Sequence, residues 1–241
     1  MIHPGVTTLL HESPTPPGAG LRGGAGADGR TGRGRRPLSI CVFCASASGL
    51  PAVHHRAASA LGHELGRRGH RLVYGGGNVG LMGEVARAVH EVGGRVHGVI
   101  PRTLVDRELA YDPADELVVT ETLRERKAEM DARADAFVAL PGGFGTLEEL
   151  LEVLTLRQLR LHDRPVVLIN VAGYWDPFLA MVRSMVEQGF APLGEGRLFA
   201  VAATAAEAVD LVEQGAGSVP AGEPPAEALA EDWTAELPTS P

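Results

Sequence analysis

The stretch ALPGGFGTLEEL has the residue types and the spacing for holding a phosphate group. Pro141 rigidifies the start of a turn, and backbone amides are left uncovered at Gly142, Gly143 and Gly145. A helical segment follows at once, so the positive end of its dipole adds to these bare N–H groups, and the Thr146 hydroxyl is an extra donor. The alternative is a glycine-rich turn between a strand and a helix that binds nothing.

A second glycine-rich stretch, YGGGNVGLMGE, satisfies the dinucleotide-binding spacing G-x-G-x-x-G at Gly75, Gly77 and Gly80. The fingerprint normally follows the first strand of the fold, whereas this stretch follows the second predicted strand. An NAD site also needs an acidic residue at the end of the next strand, and that strand ends here at Arg102. An arginine suits a 2′-phosphate, so an NADP-dependent dehydrogenase remains a weaker rival.

Two cysteines, Cys41 and Cys44, form a C-x-x-C pair that on spacing alone suits zinc or redox chemistry. Their context, PLSICVFCAS, predicts a β-strand, in which side chains three positions apart point to opposite faces. Both thiols then cannot easily bind one metal ion, and the sequence has no second cysteine pair. We expect two core thiols, and we expect neither a metal nor a cofactor.

The elements that position these loops follow a βα pattern from Pro37 onward, because short β-branched runs alternate with helical stretches. The pattern predicts an α/β fold: a single Rossmann-like domain over residues 38–214, with a mainly parallel sheet of about seven strands and helices on both faces. Helices are predicted to begin at Pro51, Gly80 and Thr146, and another to span Leu123–Arg133. The predicted strands are Leu38–Cys44, Arg71–Tyr74, Arg95–Ile100, Leu117–Thr120, Ala136–Leu140, Val166–Asn170 and a weaker one at Leu198–Val201.

Composition restricts the classes of partner. The net charge of −8 argues against broad attraction to nucleic acids or anionic membrane surfaces. No window approaches the roughly 18 to 20 uninterrupted apolar residues of a membrane span, and the start of the chain has no long apolar signal core, so we expect a cytoplasmic protein. Residues 1–37, rich in Gly, Pro and Arg, and residues 215–241, acidic and rich in Pro and Ala, are predicted to be disordered tails.

Three motifs, GGGNVGLMGE, RERKAEM and PGGFGTLEE, resemble in this order and separation the LONELY GUY family of phosphoribohydrolases. The resemblance extends from about Leu38 to Glu213 and includes CVFCASASG near its start and NVAGYWDPF near the sixth predicted strand. Its most specific elements are similar to the family motifs R-K-x-x-M and P-G-G-x-G-T-x-x-E. One departure lies at Ala45, where the family more often has glycine.

The resemblance implies an enzyme that hydrolyses the N-glycosidic bond of a nucleoside 5′-monophosphate to free base and ribose 5-phosphate. A cytokinin riboside 5′-monophosphate is the implied substrate, with AMP as a second candidate. The resemblance also implies a homodimer, with Arg126 and Glu149 as the catalytic residues. The predicted substrate-binding residues are Gly76, Gly77, Glu108, Lys127, Met130, Gly143, Phe144, Gly145, Thr146, Leu147, Glu148 and Thr155.

The chemistry of the reaction suits these two residue types. Cleaving a ribosyl C–N bond builds positive charge on the sugar, which a carboxylate at Glu149 stabilises, or the carboxylate orients the attacking water. The forked guanidinium of Arg126 suits the phosphate or the departing base better than an ammonium group does. Which group touches which substrate atom is left open by the sequence.

Both residues also have structural interpretations. Thr146 and Glu149 form a T-x-x-E capping box, in which the glutamate folds back and only caps the helix. Arg126 is placed to pair with Glu129 on the exposed face of one helix. Met130 is as well suited to core packing as to contact with a flat base.

Lys127 is the only lysine in the chain. It would therefore have to form the Schiff base of a pyridoxal-phosphate decarboxylase, a label that proteins of this family have often carried. Its position on a charged helix beside Arg126 favours a phosphate contact instead. Two further rivals to cytokinin hydrolysis remain: a non-catalytic nucleotide- or cofactor-binding carrier of the same fold, and a less selective purine monophosphate nucleosidase.

Overall fold

A computed structural model describes residues 36–105, 109–191 and 197–215 of the chain. The two predicted disordered tails fall outside these residues, apart from positions 36, 37 and 215. Among the described residues, no helix is both long enough and apolar enough to cross a membrane.

Within the described part of the chain, seven parallel strands form one sheet in the order β4-β3-β2-β1-β5-β6-β7. The predicted fold class is therefore confirmed, and each of the seven predicted strands is present. Most strands are buried on both faces, which explains their nearly continuous β-branched and apolar sequences. The strands are β1 Ser39–Phe43, β2 Arg71–Tyr74, β3 Arg95–Pro101, β4 Glu116–Thr120, β5 Ala136–Ala139, β6 Val166–Ile169 and β7 Ala200–Ala202.

Helices connect successive strands and cover both faces of the sheet. Helices α1, α2 and α7 bury their apolar side chains against one face, and α4, α5 and α6 against the other. Cys41 belongs to the second core and Cys44 to the first, so the two thiols lie on opposite faces as the strand pattern predicts. The helices are α1 Ala52–Arg67, α2 Gly80–Glu91, α3 Arg102–Val105, α4 Leu123–Arg133, α5 Phe144–Gln158, α6 Asp176–Glu187 and α7 Ala205–Glu213, with a 3₁₀ turn at Val171–Gly173.

The two helices that carry the central motifs begin differently. Thr122 caps α4 through a capping box with Glu125, because the threonine hydroxyl accepts from the Glu125 N–H and the glutamate accepts from the Thr122 N–H. Helix α5 begins at Phe144 after an extended Gly143 that offers no side chain. The prediction that Thr146 opens this helix is wrong by two residues, because a glycine rather than a threonine makes the turn into the helix.

The strand order reverses at β1, which lies between β2 and β5. Ligands of open parallel sheets bind at such a reversal, beyond the carboxyl ends of the strands. The loop after β1 also joins the neighbouring loops, since the Ala45 N–H donates to the Pro141 carbonyl at 3.2 Å. The Ala45 carbonyl in turn accepts from the N–H groups of Leu81 and Met82 at the start of α2.

Candidate active site

A buried ion pair between α4 and α5 lies at the reversal of the sheet. Arg126 Nη1 donates to Glu149 Oε1 at 2.7 Å, and each side chain is only 11% exposed. Arg126 Nε donates to the Val99 carbonyl near the end of β3 at 3.0 Å. The guanidinium lies against Gly75, the first residue after β2. The two predicted catalytic residues are therefore in direct contact, at the carboxyl ends of the strands.

The structural interpretations of this pair are not supported. Glu149 lies at the sixth position of α5, too far from its start to cap it, and no capping side chain is found at that start among the described residues. Glu129 accepts from Arg133 at 2.6 Å, one turn further along α4, and Arg126 points away to Glu149. Both motif residues thus meet between α4 and α5, near the carboxyl ends of the strands, and we call this region the crevice.

Burial sets the electrostatics of Glu149. Loss of hydration raises the pKa of its carboxyl above the ordinary value, and the Arg126 charge opposes that rise without cancelling it. The charge of Glu149 also acts on two buried thiols, Cys41 in β1 and Cys44 directly after it. Burial raises the pKa of both Cys41 and Cys44, and the Glu149 charge raises each further. These thiols are therefore protonated and unreactive in the folded protein.

The first turn of α5 presents bare backbone to the crevice. A methyl group added at Gly143 or at Gly145 would meet open space among the described residues, so packing does not demand glycine at either position. Thr146 is buried instead, and its hydroxyl lies close to Gly142. Tyr174 fixes the same turn from outside, because its hydroxyl donates to the Gly142 carbonyl.

The loop after β2 is held by a short segment that follows α3. The Gly76 carbonyl accepts from the Tyr111 N–H at 2.9 Å, and Gly77 forms an isolated antiparallel bridge with Ala110. Gly76 has a φ of 72°, a conformation that favours glycine. Glu108, predicted to line the substrate pocket, lies outside the described residues.

Lys127 is engaged on the outer side of the same two helices. Its ammonium donates to Glu148 Oε1 at 2.5 Å and forms an ion pair with Glu152 Oε2 at 2.6 Å. Hydrogen bonds from these two carboxylates raise the pKa of the ammonium above its ordinary value. The predicted phosphate contact thus lies at a lysine that already has two acidic partners.

A cavity of about 260 Å³ opens beside Glu149 between α4 and α5. Apolar and charged side chains both contribute to its lining. It is lined by Phe43, Lys127, Ala128, Met130, Asp131, Phe137, Glu149, Glu152, Val153 and Leu156.

Two of the predicted substrate-binding residues line this cavity, and others do not. Lys127 and Met130 line the cavity with Glu149. By contrast, Thr155 does not line it, since this residue is exposed and its hydroxyl donates to the Leu151 carbonyl. Phe144 is 93% exposed at the start of α5, and Leu147 packs partly against the core.

Three contacts of the site escape sequence analysis. The Val99 carbonyl, the Tyr174 hydroxyl and the Glu152 carboxylate each hold a motif residue from a distant position in the chain. Backbone carbonyls carry no sequence signal, and the other two depend on how helices and loops meet. Among the described residues, no cluster of three or more His, Cys, Asp or Glu side chains is arranged to hold a metal ion.

Comparison with known proteins shows what the chain is similar to. Residues 82–212 match the family model described as "Possible lysine decarboxylase". The cytokinin riboside 5′-monophosphate phosphoribohydrolase LOG of Oryza sativa subsp. japonica is 51% identical over 175 residues, 73% of this chain and 72% of that protein. Its relative LOG2 of Arabidopsis thaliana is 46% identical over 175 residues, 73% of this chain and 82% of that protein.

Solved structures of lower identity share the fold. The molybdenum cofactor binding protein of Rippkaea orientalis aligns with a TM-score of 0.58 at 20% identity, over 74% of this chain and 97% of that one. The molybdenum cofactor carrier protein of Chlamydomonas reinhardtii aligns with a TM-score of 0.57 at 24% identity, over 75% of this chain and 98% of that one. At these identities the likeness concerns the fold alone.

Proposed function

Because the chain belongs to the family of cytokinin riboside 5′-monophosphate phosphoribohydrolases, we propose that it hydrolyses the N-glycosidic bond of such nucleotides. The bond between C1′ of the ribose and a ring nitrogen of the base breaks. Water supplies the hydroxyl group to C1′ and a proton to the base, so the products are free base and ribose 5-phosphate. The observation that carries the proposal is the buried contact of Arg126 with Glu149 beside an open cavity.

The phosphate group binds at the start of α5. The N–H groups of its first turn have no acceptor within the helix, and they carry the positive end of its dipole. Open space at Gly143 and Gly145 leaves room for phosphate oxygens to approach the backbone, which a side chain at either position would obstruct. The helix start thus binds the anion by its backbone.

Glu149 acts at the sugar. As positive charge develops on C1′, its carboxylate stabilises that charge or orients the attacking water from within a poorly hydrated crevice. Arg126 holds this carboxylate at 2.7 Å, and its charge favours the ionised form that burial disfavours. We assign catalysis to this pair.

The base and its N6 substituent extend into the cavity between α4 and α5. A helix rises 1.5 Å per residue, so Glu149 lies about 6 Å along the axis from Gly145 and Leu156 about 10 Å further. Phosphate, ribose and base follow one another in a nucleotide over similar spans. The order of the groups along α5 therefore matches a nucleotide laid along the helix, with an apolar N6 chain against Met130 and Leu156.

Two rivals fit the contacts less well. A nucleotide carrier has no use for a buried carboxylate held at the sugar, although the fold alone suits either role. A lysine decarboxylase needs a neutral amine to form its Schiff base, but Glu148 and Glu152 raise the pKa of Lys127. A less selective purine nucleosidase differs in its substrate range, because it would hydrolyse AMP as readily as a prenylated monophosphate.

The active form is a homodimer. Among the described residues, seven large apolar side chains are exposed on α5, on α6 and directly after these helices, where a second copy would bury several of them. They are Phe144, Leu151, Leu159, Leu161, Met181, Val186 and Phe190. Light scattering coupled to size exclusion measures the mass directly, and a monomer at micromolar concentration contradicts this assembly.

The deciding experiment compares three substrates with purified protein. Isopentenyladenosine 5′-monophosphate, AMP and unphosphorylated isopentenyladenosine are incubated separately, and free base and ribose 5-phosphate are quantified. We expect release from the prenylated monophosphate, less from AMP and none from the riboside. Equal turnover of both monophosphates favours the general nucleosidase. Tight binding of intact nucleotide without release favours the carrier and refutes hydrolysis.

A further inference from the structure

The end of β2 leaves a space that a guanidinium group occupies. A Cβ atom built on Gly75 would overlap Arg126 Nη2, and it would lie 3.0 Å from Arg126 Cζ and 3.1 Å from the sulfur of Met82. Even alanine at this position therefore cannot coexist with the observed arginine. The arginine reaches its place only because residue 75 has no side chain.

Space alone, rather than backbone conformation, requires glycine at this position. The neighbouring Gly76 has a positive φ and would be strained with any side chain, but Gly75 does not belong to the left-handed residues of the chain. A Cβ atom on Gly77 would lie too close only to the flexible end of Met82, since the Leu109 carbonyl at 3.9 Å is at an ordinary contact distance. Of the three consecutive glycines, Gly75 is the one that touches the ion pair.

Arg126 has little freedom to retreat from an added methyl group. Its Nε is bonded to the Val99 carbonyl and its Nη1 to Glu149, and the side chain is 11% exposed. Moving the guanidinium away from residue 75 breaks at least one of these bonds. The bond to Glu149 joins two helices, so the displaced group would lose its hold on the carboxylate.

We propose that Gly75 is a positioning residue of the hydrolysis: its bare Cα seats the Arg126 guanidinium against β2, where it holds the Glu149 carboxylate. This inference rests on the proposed function and extends it to the loop after β2. The first glycine of GGGNVG then serves the catalytic pair, while the first turn of α5 serves the phosphate.

The proposal predicts a change in titration as well as in rate. Around Glu149 stand Arg126 and Lys127 on α4, Glu148 on α5, and the protonated thiols of Cys41 and Cys44. Burial and Glu148 raise the pKa of the carboxyl, whereas Arg126 and, more weakly, Lys127 lower it. Displacing Arg126 removes the larger of the two lowering effects, so the acid limb of the rate profile moves to higher pH.

The experiment is a double-mutant cycle on the full chain with isopentenyladenosine 5′-monophosphate. We expect Gly75→Ala to lower kcat by about 10², with a smaller change in KM and an acid limb displaced upward. In the Arg126→Ala background, the same substitution should change kcat by less than about threefold, because the group it displaces is already absent. Circular dichroism and thermal unfolding show whether each variant folds.

A size exchange keeps the test decisive if Gly75→Ala alone folds poorly. Arg126→Lys removes the branch that meets residue 75 and leaves an ammonium near Glu149. We expect Gly75→Ala/Arg126→Lys to fold and to be no less active than Arg126→Lys alone. Full activity of Gly75→Ala, an unmoved acid limb, or equal losses in both backgrounds would overturn the role of Gly75. A wild-type protein that releases no base would instead overturn the proposed hydrolysis.

Discussion

Helices α4 and α5 are joined by two neighbouring ion pairs of the same charge type in different surroundings. The inner pair, Arg126 with Glu149, is 11% exposed on both sides, and its arginine is also bonded to a carbonyl of β3. The outer pair joins Lys127, 17% exposed, to two carboxylates that are 62% and 46% exposed. Adjacent residues of α4 thus supply one cation to a carboxylate largely removed from water and one to carboxylates that are well exposed.

The difference lies in what water does to each charge. In the crevice, removal of water raises the pKa of Glu149 and makes the field of Arg126 strong. At the surface, hydration and salt weaken the attraction, and the outer pair mainly ties the helices together. Reaction chemistry at a developing positive charge needs the first environment.

Glu149→Gln should have the largest effect, lowering kcat by roughly 10³ while the protein remains folded. The amide keeps the shape of the side chain but carries no charge to stabilise the sugar. Steady-state assays of base release measure the loss. Glu129→Gln is the matched control, because that carboxylate is also paired with an arginine but lies outside the site, and its kcat should change less than about twofold. Equal rates for both variants would contradict the role of the inner pair.

Arg126→Ala should lower the free energy of unfolding by about 3 kcal/mol, because it leaves the Glu149 carboxylate buried without its partner. Adding Glu149→Gln should restore part of that loss, since the unpaired charge is then gone. Urea denaturation measures each value. Arg133→Ala removes ion pairs with Glu129 and Glu116, in which the arginine is 30% exposed and the carboxylates 36% and 43%, and it should cost less than about 1 kcal/mol. Similar losses for the two arginines would remove the contrast between inner and outer pairs.

The pH dependence of activity and of stability should reflect the raised pKa of Glu149 in the inner pair. Burial raises the pKa of Glu149, so acidifying the solution should reduce activity at a higher pH than it would if this glutamate had its ordinary pKa. Stability has the opposite sign: the folded state binds this proton more tightly, so the contribution of Glu149 to stability decreases as pH rises through the interval between the unfolded and folded pKa values. Glu149→Gln should lose that slope in unfolding experiments between pH 4 and 8. An unchanged slope would show that another group causes it.

Lys127→Gln should have the smallest effect on stability, less than about 1 kcal/mol, because its carboxylate partners regain water. The difference from wild type should shrink further in 1 M NaCl, where the Debye length is about 3 Å. Thermal unfolding at low and high salt measures it. A loss as large as that of Arg126→Ala, or one insensitive to salt, would place the lysine in the same class as the arginine.

The fold could be predicted largely from sequence because its signals are local. The strands can be recognised from short apolar, mostly β-branched segments of the sequence. The predicted helix Leu123–Arg133 has the same first and last residues in the structure. The start of α5 was misplaced because Thr146 looks like a cap, whereas the glycine that actually begins the helix leaves no side-chain signal. Short elements, such as α3 and the 3₁₀ turn, have too few residues for a periodic pattern.

The site could be predicted only in its motif residues. Sequence analysis identified Arg126 and Glu149, but not that one bonds the other, because this contact depends on the approach of two helices. The Val99 carbonyl has no sequence signature at all. The sequence marks Gly75 as part of the G-x-G-x-x-G spacing. That it makes room for Arg126 follows only from the structure, in which the guanidinium lies against it. Contacts between residues of different helices and strands therefore have to be taken from the three-dimensional structure.

Ala45 has a consequence for how this chain can change over evolutionary time. Through its own N–H and carbonyl, this residue links the loop after β1 to the turn that follows β5 and to the first residues of α2. Its side chain takes no part in those bonds but is buried in the core, so a residue of similar size would preserve them. An insertion or deletion there would shift both glycine-rich segments at once. We therefore expect the length of the segment CVFCASASG to be preserved more strictly than the identity of its residues.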